Sequence, residues 1–141
     1  IPGNIREIGY KSFSGCSGLR EISIPSTVKT VGIGAFENCT ELKDISLPTT
    51  LTEINYYTFS GCTSLTTLTL HSKLTAINNY AFAGCKSLTE IHCKNSNPPL
   101  IGENTFRDVN RIGCKIFVPS KRAKKSYSTA LYWNEFTIYI E

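Results

Sequence analysis

A fixed step of 23 residues constrains this chain more than any other feature. Residues 1–23 (IPGNIREIGYKSFSGCSGLREIS), 24–46 (IPSTVKTVGIGAFENCTELKDIS), 47–69 (LPTTLTEINYYTFSGCTSLTTLT) and 70–92 (LHSKLTAINNYAFAGCKSLTEIH) align without a gap. A register held over four copies specifies a repeat array, in which each copy is one structural unit stacked on the next. A degenerate fifth copy fills 93–117, and the period is lost after Pro119. The expected organisation is an array over 1–119 and a C-terminal cap over 120–141.

Within a copy, each place implies a local structure. Places 19, 22 and 24 are apolar (Leu19, Ile22, Ile24; Leu42, Ile45, Leu47; Leu65, Leu68, Leu70) and end in the alternation of a strand. Pro2, Pro25, Pro48 and Pro119 then follow, and a residue that cannot donate to a ladder ends the strand. His71 and Lys94 stand at that place in two copies. Places 5 and 8 anchor the return leg with Ile5 and Ile8, Val28 and Val31, Leu51 and Ile54, and Leu74 and Ile77. Gly9, Gly32, Asn55 and Asn78 share tolerance of positive φ, so a left-handed corner is expected there. Phe13, Phe36, Phe59 and Phe82 predict a buried column of rings. Gly15, Asn38, Gly61 and Gly84 resemble a helix C-cap, which predicts one short helical or 3₁₀ turn on the convex side.

Six cysteines in a short chain suggest a disulfide scaffold, but their spacing favours another reading. Cys16, Cys39, Cys62 and Cys85 occupy one repeat place and form one column. Small apolar thiols suit a tight interior corner, so buried free thiols are expected, with bridging between neighbours as the alternative. Neither cysteines nor histidines cluster at ligand spacing, and no metal or other cofactor is expected.

The fifth copy keeps the frame with insertions. Ile101, Gly102, Phe106 and Ile112 arrive one place late, and Asp108 and Val109 stand where Gly and Cys stood. Pro98 and Pro99 stiffen the altered corner, and Cys114 shares parity with Ile116 and Val118, which points it inward. A Cys93–Cys114 bridge would be offset along the strands. In the tail, Ser120 is a candidate N-cap, Ala123, Tyr127, Ala130 and Leu131 follow helical spacing, and Phe136, Ile138 and Ile140 alternate beyond Trp133. A solenoid must cover its last open face, and this tail is the expected cap. The opening residues show no equivalent, and with no Met in the chain the expectation is a piece of a longer array.

Net charge is +4, with one dense basic run at Lys121, Arg122, Lys124 and Lys125. No groove-reading motif or stacking aromatics accompany it, so it reads as the wet face of a terminal helix, and nucleic acid is not an expected partner. Apolar residues are too evenly spread for a membrane span, so no membrane insertion is expected. Two histidines, no nucleophile–base pair at recognisable spacing, no phosphate loop and short loops point away from an enzyme.

The pattern L-x-x-I-x-I-P-x-x-V-x-x-I-G-x-x-A-F-x-x-C-x-x-L resembles the BspA-type leucine-rich repeat over 1–119, and the tail is similar to the usual end of such arrays. The resemblance implies an α/β fold: a right-handed leucine-rich repeat solenoid, mostly β, with short helical turns on the convex side and a C-terminal helix–strand cap. It also implies a cell-surface or secreted protein that adheres to host or neighbouring-cell surface or matrix proteins or glycans.

Stacked strands would carry an outward column of Ser23, Ser46, Thr69, His92 and Phe117, flanked by Glu21, Asp44, Thr67, Glu90 and Lys115. Concave columns of this kind are the ordinary binding surface of solenoids. Glu90, His92 and Phe117 are the candidate contact residues, with Thr69 and Ser46 continuing the column; the bland alternative is tolerated surface. Tyr10, Tyr56, Tyr57 and Tyr80 form a second aromatic strip on the convex side. Two roles stay open: a non-enzymatic recognition module, or a structural spacer with no ligand of its own.

Overall fold

The computed structural model describes all residues 1–141. Ten strands lie in the repeats: β1 (Glu7–Ile8), β2 (Glu21–Ser23), β3 (Thr30–Val31), β4 (Asp44–Ser46), β5 (Glu53–Ile54), β6 (Thr67–Leu70), β7 (Ala76–Ile77), β8 (Glu90–Cys93), β9 (Leu100–Ile101) and β10 (Lys115–Val118). Helix α1 (Lys121–Thr129), a 3₁₀ turn (Trp133–Glu135) and β11 (Thr137–Ile140) follow. All pairings are parallel, as a chain circling in one direction requires. The long strands form the main sheet in two pieces, β2-β4 and β6-β8-β10-β11, and the short return strands form β1-β3 and β5-β7-β9. Register sets like against like: Ile22 opposite Ile45, Leu68 opposite Ile91, Ile91 opposite Ile116.

The interior is one cluster of 33 buried residues. Phe13, Phe36, Phe59, Phe82 and Phe106 stack with centroids 5.2, 5.4, 5.4 and 5.6 Å apart and planes within 14° of parallel. The insertion in the fifth copy therefore delays Phe106 without moving it out of the stack. The stack ends because Phe136 meets Phe106 edge-on, at 5.7 Å and 83°. An edge-on ring offers no parallel face on which another could lie.

All six cysteines are free. Cys39, Cys62 and Cys85 donate their thiols to the carbonyls of Phe13, Phe36 and Phe59 in the preceding copy, at 3.2, 3.4 and 3.3 Å. Burial pushes the Cys85, Cys93 and Cys114 thiols up to about 12. Cys16 departs from the expected buried column: it is exposed, because no copy precedes it in these 141 residues and one side of its corner is uncovered. Phe13 and Leu19 are only partly buried for the same reason, since Phe36 and Leu42 at the same places are fully buried.

The corner between strands also differs from expectation. Place 9 is not left-handed; positive φ falls at Lys11 (49°), Gly34 (63°), Tyr57 (58°) and Tyr80 (63°), and again at Gly15, Asn38, Gly61 and Gly84. Gly32 answers to a different constraint, since a Cβ there would lie 2.6 Å from the backbone nitrogen of Tyr10. The convex segments are overlapping turns that do not propagate into helix. Amides of Ser12, Ser14 and Cys16 donate three residues back, at 3.3, 3.0 and 3.1 Å. Those of Lys11, Phe13 and Gly15 donate instead to Ile33, Ala35 and Glu37 of the next copy, at 3.0, 2.8 and 2.7 Å. Alternate amides committed to a neighbouring copy cannot complete a helical ladder.

The tail folds onto the fifth copy. The Ser120 hydroxyl accepts from the Ala123 amide at 3.1 Å, capping α1, whose Ala123 and Tyr127 are buried. Leu131, expected inward, is instead exposed, because Ala130 turns to extended backbone and ends the helix before it. Tyr127 donates its hydroxyl to the Asn95 carbonyl at 3.0 Å, and Trp133 its indole N–H to the Pro99 carbonyl at 2.8 Å. The altered corner of the fifth copy thus supplies the acceptors for the tail's two buried amphipathic rings. β11 then pairs alongside β10, with Ile138 opposite Ile116.

Candidate functional site

Strand alternation sorts the end of the main sheet into two faces. Ile91, Ile116 and Ile138 are buried, while His92, Phe117 and Tyr139 stand on the outer face in register. Parallel neighbours a strand apart bring these rings into contact. His92 stacks on Phe117 at 4.8 Å and 11°, and Phe117 meets Tyr139 at 5.6 Å and 32°. Rings stacked along the sheet turn their edges to solvent, forming a ridge.

Charged groups frame that ridge. His92 Nε2 lies 3.0 Å from Glu90 Oε2, and Nδ1 lies 2.7 Å from Glu141 Oε1. Each ring nitrogen of His92 therefore faces a carboxylate oxygen of its own. Lys94 Nζ reaches the other Glu141 oxygen at 2.8 Å. The Lys94 hydrogen bond first, then that of His92, holds the Glu141 carboxyl below its ordinary value. Lys115 Nζ lies 5.9 Å from the Tyr139 ring centroid. Such an arrangement offers apolar ring edges for contact and flanking groups of both signs for orientation. The hydrogen-bond partners of His92 are carboxylates, not a serine or cysteine nucleophile.

Glu90, His92 and Phe117 are brought together, and Thr69 joins them directly opposite His92. Ser46 lies apart. β4 and β6 share no strand ladder, and an open cleft of about 660 Å³ sits over that seam, lined by Ile22, Ile45, Ser46 and Thr69 among others. Three members of the ridge cluster, Lys94, Tyr139 and Glu141, are not among the residues expected from sequence. The inward pair Phe136 and Ile138 was the available signal, since it puts Tyr139 on the opposite face.

No helix of the protein is long and apolar enough to cross a membrane. The BspA type leucine rich repeat region profile matches in six copies over residues 1–126. The chain belongs to the BspA-type leucine-rich repeat family. Among solved structures, this BspA-type domain is similar to a leucine rich cell surface protein from Faecalibacterium prausnitzii, with 28% identity, a TM-score of 0.78 and coverage of 97% of this chain and 34% of the other. It is also similar to the pneumococcal vaccine antigen PcpA (23% identity, TM-score 0.68, 99% and 40% covered). A third is a leucine-rich repeat protein from Bacteroides ovatus (23%, 0.55, 99% and 44%). The latter two share the fold. The chain spans less than half the length of each of these structures. No curated protein matches it.

Proposed function

We propose that this BspA-type domain is a non-enzymatic recognition module of a cell-surface or secreted protein, using the outer face of its main sheet to adhere to a protein or glycan of a host or neighbouring-cell surface or matrix. The observation that carries the reading is the His92–Phe117–Tyr139 ridge, set in a column that is otherwise Ser and Thr and framed by Glu90, Lys115 and Glu141. Clustered aromatic anchors ringed by polar groups are the usual energetic centre of a protein interface. Similarity to a structure described as a leucine rich cell surface protein supports the location.

The test is binding of the purified chain to immobilised fibronectin, fibrinogen, epithelial-cell extract and a glycan array. A His92→Ala, Phe117→Ala double variant should lose saturable binding, since each anchor is worth about 2 kcal/mol or more. Unchanged binding by the variant would move the site elsewhere. No binding by either protein would leave the spacer role in its place.

A further inference from the structure

Place 11 of the repeats builds a second column on the convex side: Lys11, Gly34, Tyr57 and Tyr80, each at positive φ. Tyr57 and Tyr80 stack with centroids 4.9 Å apart and planes 1° from parallel. Gly34 then leaves a rung without a ring, over which the Lys11 chain and the Glu37 carboxylate lean, 3.1 and 3.2 Å from where a Cβ would stand. The Tyr57 face turned away from Tyr80 looks into a cleft of about 220 Å³, lined by Tyr10, Lys11, Ile33, Glu37 and Tyr57. Lys11 Nζ and Glu37 Oε2, 3.3 Å apart, form its polar rim. We propose that this cleft binds one neutral pyranose ring of a glycan, stacked on Tyr57 and hydrogen-bonded by Lys11 and Glu37.

Size and chemistry select that ligand class. Successive rungs lie about 4.8 Å apart, so the backbones at Lys11 and Tyr57 are about two rungs from each other across Gly34, and a ligand ring on Tyr57 moves the flexible end of the Lys11 chain aside. A flat ring in van der Waals contact with Tyr57 needs about 3.5–4.0 Å, which is within one rung. The volume falls below the range of about 300–1,000 Å³ that suits drug-sized ligands, so the space takes a single ring. A pyranose offers an apolar C–H face to the tyrosine and hydroxyls that both donate and accept. The ammonium and carboxylate at the rim match those two hydroxyl roles. An aromatic side chain would satisfy Tyr57 but leave the rim unmatched. A charged ligand would have to compete with the partner that Lys11 and Glu37 each already have.

This proposal does not depend on the ridge around His92, which lies on the other face. The test is NMR titration of the ¹⁵N-labelled chain, read at the Gly34 and Ile33 amides. The probes are methyl glucopyranoside, methyl galactopyranoside, cellotriose and chitotriose, with p-cresol standing for an aromatic side chain. Saturable shifts are expected with at least one sugar and not with p-cresol. Gly34→Tyr should abolish them by placing a ring where the ligand would lie, with the flexible Lys11 chain displaced from its position 3.1 Å from the new Cβ. The backbone there already holds tyrosine in the same conformation at Tyr57 and Tyr80, and Trp133 fluorescence reports that the variant is folded. Tyr57→Asn, which keeps a residue tolerant of positive φ, should also lose binding, and His92→Ala, Phe117→Ala should keep it. Sugar shifts that survive Gly34→Tyr, shifts with p-cresol alone, or no shift with any probe would each overturn the proposal.

Discussion

Cys62 shows how one residue type at one repeat place does two jobs. Its sulfur fills a fully buried corner, and its thiol donates to the Phe36 carbonyl of the copy before it. Both uses require burial, and burial raises the thiol pKa of Cys39, Cys62 and Cys85, which suppresses the reactive thiolate. A thiol reagent such as Ellman's should therefore label Cys16 alone in the native protein and the other five only after denaturation. Rapid labelling of more than one thiol would show that the column is open. The phenylalanines follow the same logic of neighbours. Phe59 is 1% exposed between two rings, so Phe59→Ala should cost about 3–5 kcal/mol in urea denaturation. Phe13, only partly buried and stacked on one face, should cost distinctly less. His71 tests a third residue-scale feature. It replaces the proline that ends the strand, and its Nδ1 accepts from the Lys73 amide at 3.2 Å. Burial holds its folded pKa below the ordinary 6.5, so its contribution is fully present above pH 6.5 and fades as pH falls through the folded value. His71→Pro, which restores the residue of three other copies, should flatten that part of the stability–pH curve. An unchanged slope would assign the pH dependence to another group.

At the scale of the element, the turn after each return strand is where sequence reading succeeded and failed for definable reasons. The strands, prolines and phenylalanine column were legible because a single residue type recurs where a single packing task recurs. The outward ladder through Phe117 was legible because parity along a strand is strict. The left-handed place of the first corner was not. Glycine marks both positive φ and close backbone approach, and at Gly32 the second constraint operates. Lys11, Tyr57 and Tyr80 occupy the left-handed place of that corner, and nothing in those residue types advertises it, whereas Gly15, Asn38, Gly61 and Gly84 marked the second left-handed place by their type. The contribution of β11 to the main sheet was hidden because the tail carries no repeat register from which to count. Place 15 is nevertheless informative about energy. Gly84 sits at φ 73° with nothing closer than 3.6 Å to an added Cβ, so Gly84→Ala isolates backbone strain and should destabilise by about 1–2 kcal/mol. Asp108 holds the same place in the fifth copy at φ 65° with a side chain. Asp108→Gly should therefore move stability the other way, raising the melting temperature. If both substitutions shift it in the same direction, side-chain contacts rather than backbone conformation set the preference there.

For the whole molecule, the two ends are unequal, and that inequality orders its dynamics. A stack of copies is held by nearest-neighbour interfaces, so a copy with one interface opens before a copy with two. In the 141-residue chain the first copy has one neighbour, while the fifth is covered by α1, the 3₁₀ turn and β11. The amides of Phe13 and Gly15 are bonded to the second copy as well as those of Phe59 and Gly61 are to the fourth, at 2.8 and 2.7 Å in both cases. Hydrogen-bond geometry alone thus forecasts equal protection, whereas the interface argument forecasts fast exchange at Phe13 and Gly15 and exchange only through global unfolding at Phe59 and Gly61. Native-state hydrogen exchange separates the two forecasts. The capped end supplies the converse experiment. Trp133→Phe keeps an aromatic ring, though a smaller one, and leaves the buried Pro99 carbonyl without the indole N–H, at a cost of about 1–3 kcal/mol for the hydrogen bond alone. That loss weakens the seat of the tail on the fifth copy, so the Lys115 amide, bonded to the Thr89 carbonyl at 2.8 Å, should exchange by local opening in the variant while Phe59 keeps its protection. Uniform loss of protection along the chain would mean instead that the array unfolds as one unit and that its ends carry no separate stability.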